Sequence, residues 1–142
     1  MQNMTMASPP GWVDKSMLIL SAPGPARSGI TANMVVTRDV LPPGLPDALP
    51  HRMHALLDRQ VVEMRERMAR FQERWRNVDD HHPVAEIMID WQAPQGAVAQ
   101  WVTFADLGEG ALMVATATCG RDEFDDHGPI FRQMLQSLSL PQ

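Results

Sequence analysis

The chain has 142 residues, a single cysteine and a formal net charge of −5, with 44% hydrophobic and 20% charged residues. That length suits one domain built on one core, and the mix is that of an ordinary globular protein. The negative balance argues against a duplex nucleic-acid partner, which needs a basic patch, and the lone Cys119 excludes an intramolecular disulfide.

Residues 1–10 are polar, carry no positive charge and contain no long apolar run. They predict a flexible N-terminus without an export signal, ahead of a domain over residues 11–140. Ser16 to Ser21 reads as a strand stopped by Pro23, and Ala22 to Gly29 as a loop rich in proline and glycine. Asn33 to Val40 is a second strand. Its alternation puts Asn33, Val35, Thr37 and Asp39 on one face and Met34, Val36 and Arg38 on the other.

After Pro42-Pro43-Gly44, apolar residues recur at three- and four-residue steps from Leu49 through Met53, Leu56, Leu57, Val61, Met64 and Met68 to Phe71. This stripe predicts a long amphipathic helix from about Asp47 to Phe71, with Asp47 as its N-cap and Pro50 in its first turn. Arginines and glutamates alternate on its other side, as on a solvated face. A weaker strand over Gln72 to Val78 precedes three better ones, Val84 to Trp91, Ala97 to Ala105 and Ala111 to Cys119. Short glycine-containing turns join the last three, which predicts an antiparallel meander. Gly120 to Asp126 reads as an acidic loop, and a last helix starts near Pro129. The order predicts an α+β fold: an antiparallel sheet backed on one side by one long and one short helix.

Candidate chemistry is sparse. Asp79-Asp80-His81-His82 and Asp122-Glu123-Phe124-Asp125-Asp126-His127 combine carboxylates with imidazoles, the groups of metal sites and acid–base catalysis. Both also read as polar connections, since neighbouring loop residues point apart. His51 and His54 stand three apart on a helix start, with no third ligand nearby, and Cys119 ends a strand. No phosphate-binding loop, nucleophile elbow or zinc spacing is present. The expectation is therefore a binding protein with no catalytic residue, no metal and no cofactor.

Binding has better candidates. Eleven methionines supply adaptable apolar surface. Gln60 falls beside the helix stripe, between Leu57 and Val61, and Gln100 sits within an otherwise apolar strand. An amide in such a place needs partners for both its ends. The face Asn33-Val35-Thr37 mixes apolar contact with short polar groups, the combination that helices use to pack in lipid.

Gly11-Trp12-Val13-Asp14-Lys15-Ser16-Met17, followed by Ala32-Asn33-Met34-Val35-Val36-Thr37-Arg38-Asp39, resembles the opening of DcrB-like domains. More narrowly it resembles the Eag chaperones of bacterial type VI secretion, and the likeness runs from Pro10 to the terminal helix. The resemblance implies a PsbP-like fold and a homodimer. It also implies a cytoplasmic chaperone, not itself embedded in a membrane, that shields the N-terminal transmembrane segments of a secreted Rhs- or PAAR-type effector. On that basis Leu18, Leu20 and Val35 are expected to touch the cargo helix, and Asn33, Thr37, Gln60 and Gln100 to hydrogen-bond it. The alternative is a DcrB-like accessory module that docks a folded partner on a flat face.

Overall fold

The computed structural model describes Pro10, residues 17–23 and residues 26–137. The expectation of a flexible N-terminus lies outside these residues, Pro10 apart. In chain order the elements are β1 (Met17–Ser21), β2 (Asn33–Val40), α1 (His51–Arg67), β3 (Gln72–Val78), β4 (Val84–Ala93), β5 (Gly96–Gly108), β6 (Ala111–Gly120) and α2 (Phe124–Ser137). The strands form one six-stranded antiparallel sheet in the order β1-β2-β6-β5-β4-β3. The meander of β4, β5 and β6 is its centre, and the class is the expected α+β.

The strands of the meander run longer than their alternation predicts, because the turns that join them are tight. Between β5 and β6 the chain reverses on Gly108, Glu109 and Gly110, all with positive φ. That backbone matches the right-handed twist of the flanking strands. Hence β5 reaches Gly108 rather than ending at Ala105.

Both helices begin elsewhere than expected. The long helix starts at His51, after Pro50, and not at Asp47. A proline disfavours helical backbone at the residue before it, so Leu49 cannot join the helix and Asp47 cannot cap it. The helix ends at Arg67, because Met68 is extended and Arg70 has a φ of 54°. Met68 and Phe71 still pack on the core from beyond the helix. The second helix starts at Phe124 after a 3-10 turn over Arg121–Glu123, so the expected acidic loop is mostly helical. Pro129 lies inside it. Its missing N–H leaves only the Asp125 carbonyl without a partner, one turn from the helix start.

The larger correction concerns layers. The two helices do not back one side of the sheet; they pack on opposite faces. Met53, Leu56, Leu57, Val61 and Met64 of α1 bury against Ala85, Ile87 and Ile89 of β4, Val102 and Phe104 of β5 and Leu112 of β6. On the other face Phe131 of α2 packs with Met34, Met88, Ala99, Trp101, Ala115, Ala117 and Cys119. The reason lies in β5 and β6, which are buried on both faces. One helix cannot dry both sides of an apolar strand, and each side chain left in water forgoes about 2 kcal/mol.

Candidate functional site

Neither helix is wide enough for six strands. On the first face α1 sits over β4 and β5 and leaves β1, β2 and the near edge of β6 uncovered. On the second face α2 packs over β6 and overhangs the β1–β2 end, where apolar clefts run along Leu18, Leu20 and Met34 beneath it. The β3–β4 end of that face is left open. The sheet thus has two uncovered halves, diagonal to one another.

Register defines the first. Ser21, Asn33, Thr118 and Gln100 form one rung across β1, β2, β6 and β5. Ile19, Val35, Thr116 and Val102 form the next, and Thr37, Val114 and Phe104 the one after. Beside α1 these rungs sink into a groove of about 240 Å³, lined by Thr37, Gln60, Met64, Gln100, Val114 and Thr116 among others. Ile19 is 58% exposed, and Val35, Thr37, Thr116, Thr118 and Gln100 are half-buried. Among the described residues of β1, β2 and β6, Asp39 is the only charge on this face.

The polar groups here are of two kinds. Gln100 is held: Trp91 Nε1 donates to its Oε1 at 3.0 Å, and its Nε2 donates to Thr118 Oγ1 at 3.1 Å. Thr37, Gln60 and Thr116 have no hydrogen-bonding partner among the described residues, and their polar atoms are open to solvent. Among the described residues Asn33 makes only a long 3.4 Å contact to the Thr31 carbonyl.

The second open half differs in kind. Arg74 is paired with the buried Asp90. Trp101 Nε1 donates to Glu86 at 2.8 Å, and Asn77 reaches the other Glu86 oxygen at 3.4 Å. Trp75 meets Trp101 edge-on at 5.8 Å, and the Arg132 guanidinium lies 4.8 Å over the Trp101 ring. Its charges are satisfied within the fold.

Of the residues expected to bind, the structure brings Thr37, Gln60 and Gln100 into the groove, with Val35 and Asn33 on the same face beside it. Leu18 and Leu20 are not with them. They pair with Val36 and Met34, and they face α2 along a different apolar cleft with Met134. The β1 residues that do share the face of Val35 include Ile19 and Ser21, and β6 adds Thr116 and Thr118. Those two were legible as alternating threonines in Ala115-Thr116-Ala117-Thr118. No signal in Met17-Leu18-Ile19-Leu20 marks which side is which.

The titratable clusters resolve into local structure. Asp79 accepts the N–H groups of His81 and His82 at 2.8 and 3.0 Å, closing an exposed turn. Those bonds, that of His81 first, hold its carboxyl below the usual range. Glu123 is buried and accepts the Ser28 N–H at 3.1 Å, and hydrogen bonding to Ser28 lowers its pKa. His127 stacks on Phe131, and His51 and His54 are exposed. Burial pushes the Cys119 thiol up to about 12, so it holds its proton. Among the described residues no three metal-ligating side chains converge, and no helix is long and apolar enough to cross a membrane.

A family model described as DcrB matches residues 4–137. Among solved structures, the chain is similar to PA94 of Pseudomonas aeruginosa, described as a regulator candidate of unknown function. The identity is 22% and the TM-score 0.76, over 94% of this chain and 89% of that one. It is also similar to the solution structure of cyanobacterial PsbP (CyanoP) from Synechocystis sp. PCC 6803. There the identity is 10% and the TM-score 0.56, over 88% and 82% of the two chains. At these identities the likeness establishes a shared fold. No curated protein sequence matches.

Proposed function

The chain belongs to the DcrB family, and we propose that this member is a cytoplasmic chaperone of the Eag type. In this reading it binds rather than catalyses, without a cofactor. It shields the N-terminal transmembrane segments of a type VI secretion effector until the effector is loaded for export.

One observation carries the reading: the open half beside α1 interleaves apolar side chains with hydroxyl and amide groups that have no partner among the described residues. A transmembrane helix in water exposes apolar surface costing about 25 cal/mol per Å² and tends to aggregate. It also carries small polar groups that otherwise pair with neighbouring helices. Ile19, Val35 and Val114 offer the first kind of contact, and Thr37, Gln60, Thr116 and Gln100 the second. A helix laid along β2 and β6 would sit beside α1 as a second helix on the same face. This favours an apolar helix over a flat docking site for a folded domain, which would be better served by charged rim residues.

The resemblance that suggests this class also implies a homodimer. The outer edge of β1 supports it, since Leu18-Ile19-Leu20 carries no charge or proline. The opposite edge, β3, is guarded by Arg74, Arg76 and Glu73 and by a bulge between Glu73 and Trp75.

The test is coexpression with the effector encoded beside this gene, followed by copurification. The complex should form with the intact effector and be lost when its N-terminal apolar segments are deleted. A complex that survives the deletion overturns the proposal.

A further inference from the structure

We infer that Trp91 is a positioning residue that turns the Gln100 NH2 group toward the polar end of the groove and so weights that end toward donating hydrogen bonds, favouring a helix that presents an acceptor there. This rests on the reading of the groove as a transmembrane-helix site and adds to it the polarity of what is recognised.

The argument starts from an asymmetry between side chains. A glutamine amide has a donor end and an acceptor end of nearly the same shape, and an unconstrained one serves either kind of partner. An indole N–H can only donate. Trp91 Nε1 lies 3.0 Å from the Gln100 amide, so the end facing it must be the oxygen. The NH2 end is thereby turned the other way, toward β6, where it donates to Thr118 Oγ1 at 3.1 Å. Thr118 stands directly across from Gln100 in the β5–β6 register, on the side of the uncovered strands. Its hydroxyl oxygen accepts from the amide with one of its two lone pairs. Among the described residues no acceptor takes its proton, which is left to face the open half.

The direction therefore propagates: indole to amide oxygen, amide NH2 to hydroxyl oxygen, hydroxyl hydrogen outward. Each bond polarises the next in the same sense. The chain is anchored in the core, because Trp91 packs with the α1-side cluster. The second amide N–H of Gln100 adds another donor. The matching ligand is an apolar helix bearing a hydrogen-bond acceptor. A hydroxyl or side-chain carbonyl oxygen serves, as does a main-chain carbonyl freed by a proline four residues later. A donor-only side chain at the same place meets the Gln100 NH2 group as a second donor and has only the remaining lone pair of the Thr118 hydroxyl to use.

The experiment uses the full chain and a 20-residue leucine–alanine peptide in mild detergent, with either methionine or methionine sulfoxide at its centre. The two differ by one acceptor oxygen. Affinity for both forms is measured by titration for the natural protein, for Trp91→Phe and for Thr118→Val. Trp91→Phe keeps an aromatic ring and removes the donor; Thr118→Val keeps the shape and removes the hydroxyl. The natural protein should favour the sulfoxide form, relative to either variant, by about fivefold, the worth of one net hydrogen bond. If both variants keep the natural preference, the positioning role of Trp91 is overturned while the groove reading stands. If the natural protein binds neither peptide, the groove reading itself falls, and this inference with it.

Discussion

The two uncovered halves lie at opposite ends and on opposite faces of one sheet, and they reach opposite conclusions. Beside α1, the polar side chains are short, uncharged apart from Asp39, and in several cases without partners. Beside α2, the polar side chains are long and charged, and they are paired: Arg74 with Asp90, Glu86 with Trp101, Arg132 over the same indole. A surface whose hydrogen bonds are complete within the fold has little to offer a ligand. One with apolar contact and unspent hydroxyls and amides gains by being covered. Exposure alone does not separate them, since Trp75 is 39% exposed on the completed half.

That contrast can be broken most sharply by putting a charge on the unfinished half. Val35→Glu should weaken binding of a transmembrane segment roughly 100-fold, because an unpaired carboxylate buried under an apolar helix costs several kcal/mol. Arg74→Ala, on the completed half, should change the same affinity less than twofold. Equal losses for the two variants in a titration with the same peptide would erase the distinction. Val35 is only half-buried in the unbound chain, so its substitution should leave the urea midpoint nearly unchanged.

Beneath the open half lies the covered one, and it should respond to truncation in the opposite way. Leu56 is fully buried under α1. Leu56→Ala should lower the unfolding free energy by about 3 kcal/mol in a urea titration, through lost burial and the cavity left behind. A loss below 1 kcal/mol would mean that α1 is not the wall against which the groove is built.

A smaller effect of reverse sign is expected at Thr103. Its Oγ1 is sealed from solvent on the second face with no partner among the described residues. Thr103→Val should therefore raise stability by about 1 kcal/mol, since it removes an unmade hydrogen bond. A destabilised variant would show that the hydroxyl is satisfied after all.

The smallest effect is electrostatic and fastens β3 to α1. Arg76 grips Glu73 with two bonds, of 2.9 and 2.8 Å, and reaches Asp58 of α1 at 2.8 Å. The Arg76 hydrogen bonds hold the Glu73 carboxyl below its ordinary value of 4.5. A lowered folded pKa contributes stability that is present above about 4.5 and is lost as pH falls through the folded value. Glu73→Gln should cost less than about 1 kcal/mol at pH 7, as befits a partly exposed pair. In urea titrations the gap between natural and variant protein should narrow as pH falls below about 4.5 and through the folded value. A gap that stays constant would point to packing rather than charge.

Much of this architecture was legible in the chain. The stripe from Met53 to Met64 announced α1, and the alternation of Asn33 to Val40 assigned both faces of β2 correctly relative to each other. Gln100 stood out as an amide in an apolar strand, and it does face the groove. Two failures have definite causes. Leu18 and Leu20 went to the wrong face because β1 is apolar at every position from Met17 to Leu20, so its alternation carries no information. A strand slipped by one residue exchanges its faces, and only the pairing of Ile19 with Val35 fixes the slip. The helices were assigned to one side because a run of elements does not say which layer each joins.

The chain alone announces the parts of this protein: an α+β set of elements with a long amphipathic helix, a meander and no recognisable catalytic motif. It does so because residue periodicity follows from local backbone geometry, with two residues per strand repeat and 3.6 per helical turn. Which halves of the sheet stay open, and which polar groups among the described residues lack a partner, follow from the packing of the folded chain. That packing alone sets Trp91, Gln100 and Thr118 in line across three strands. Those outcomes depend on register and on which layer each helix joins, both set by contacts between residues far apart in the chain.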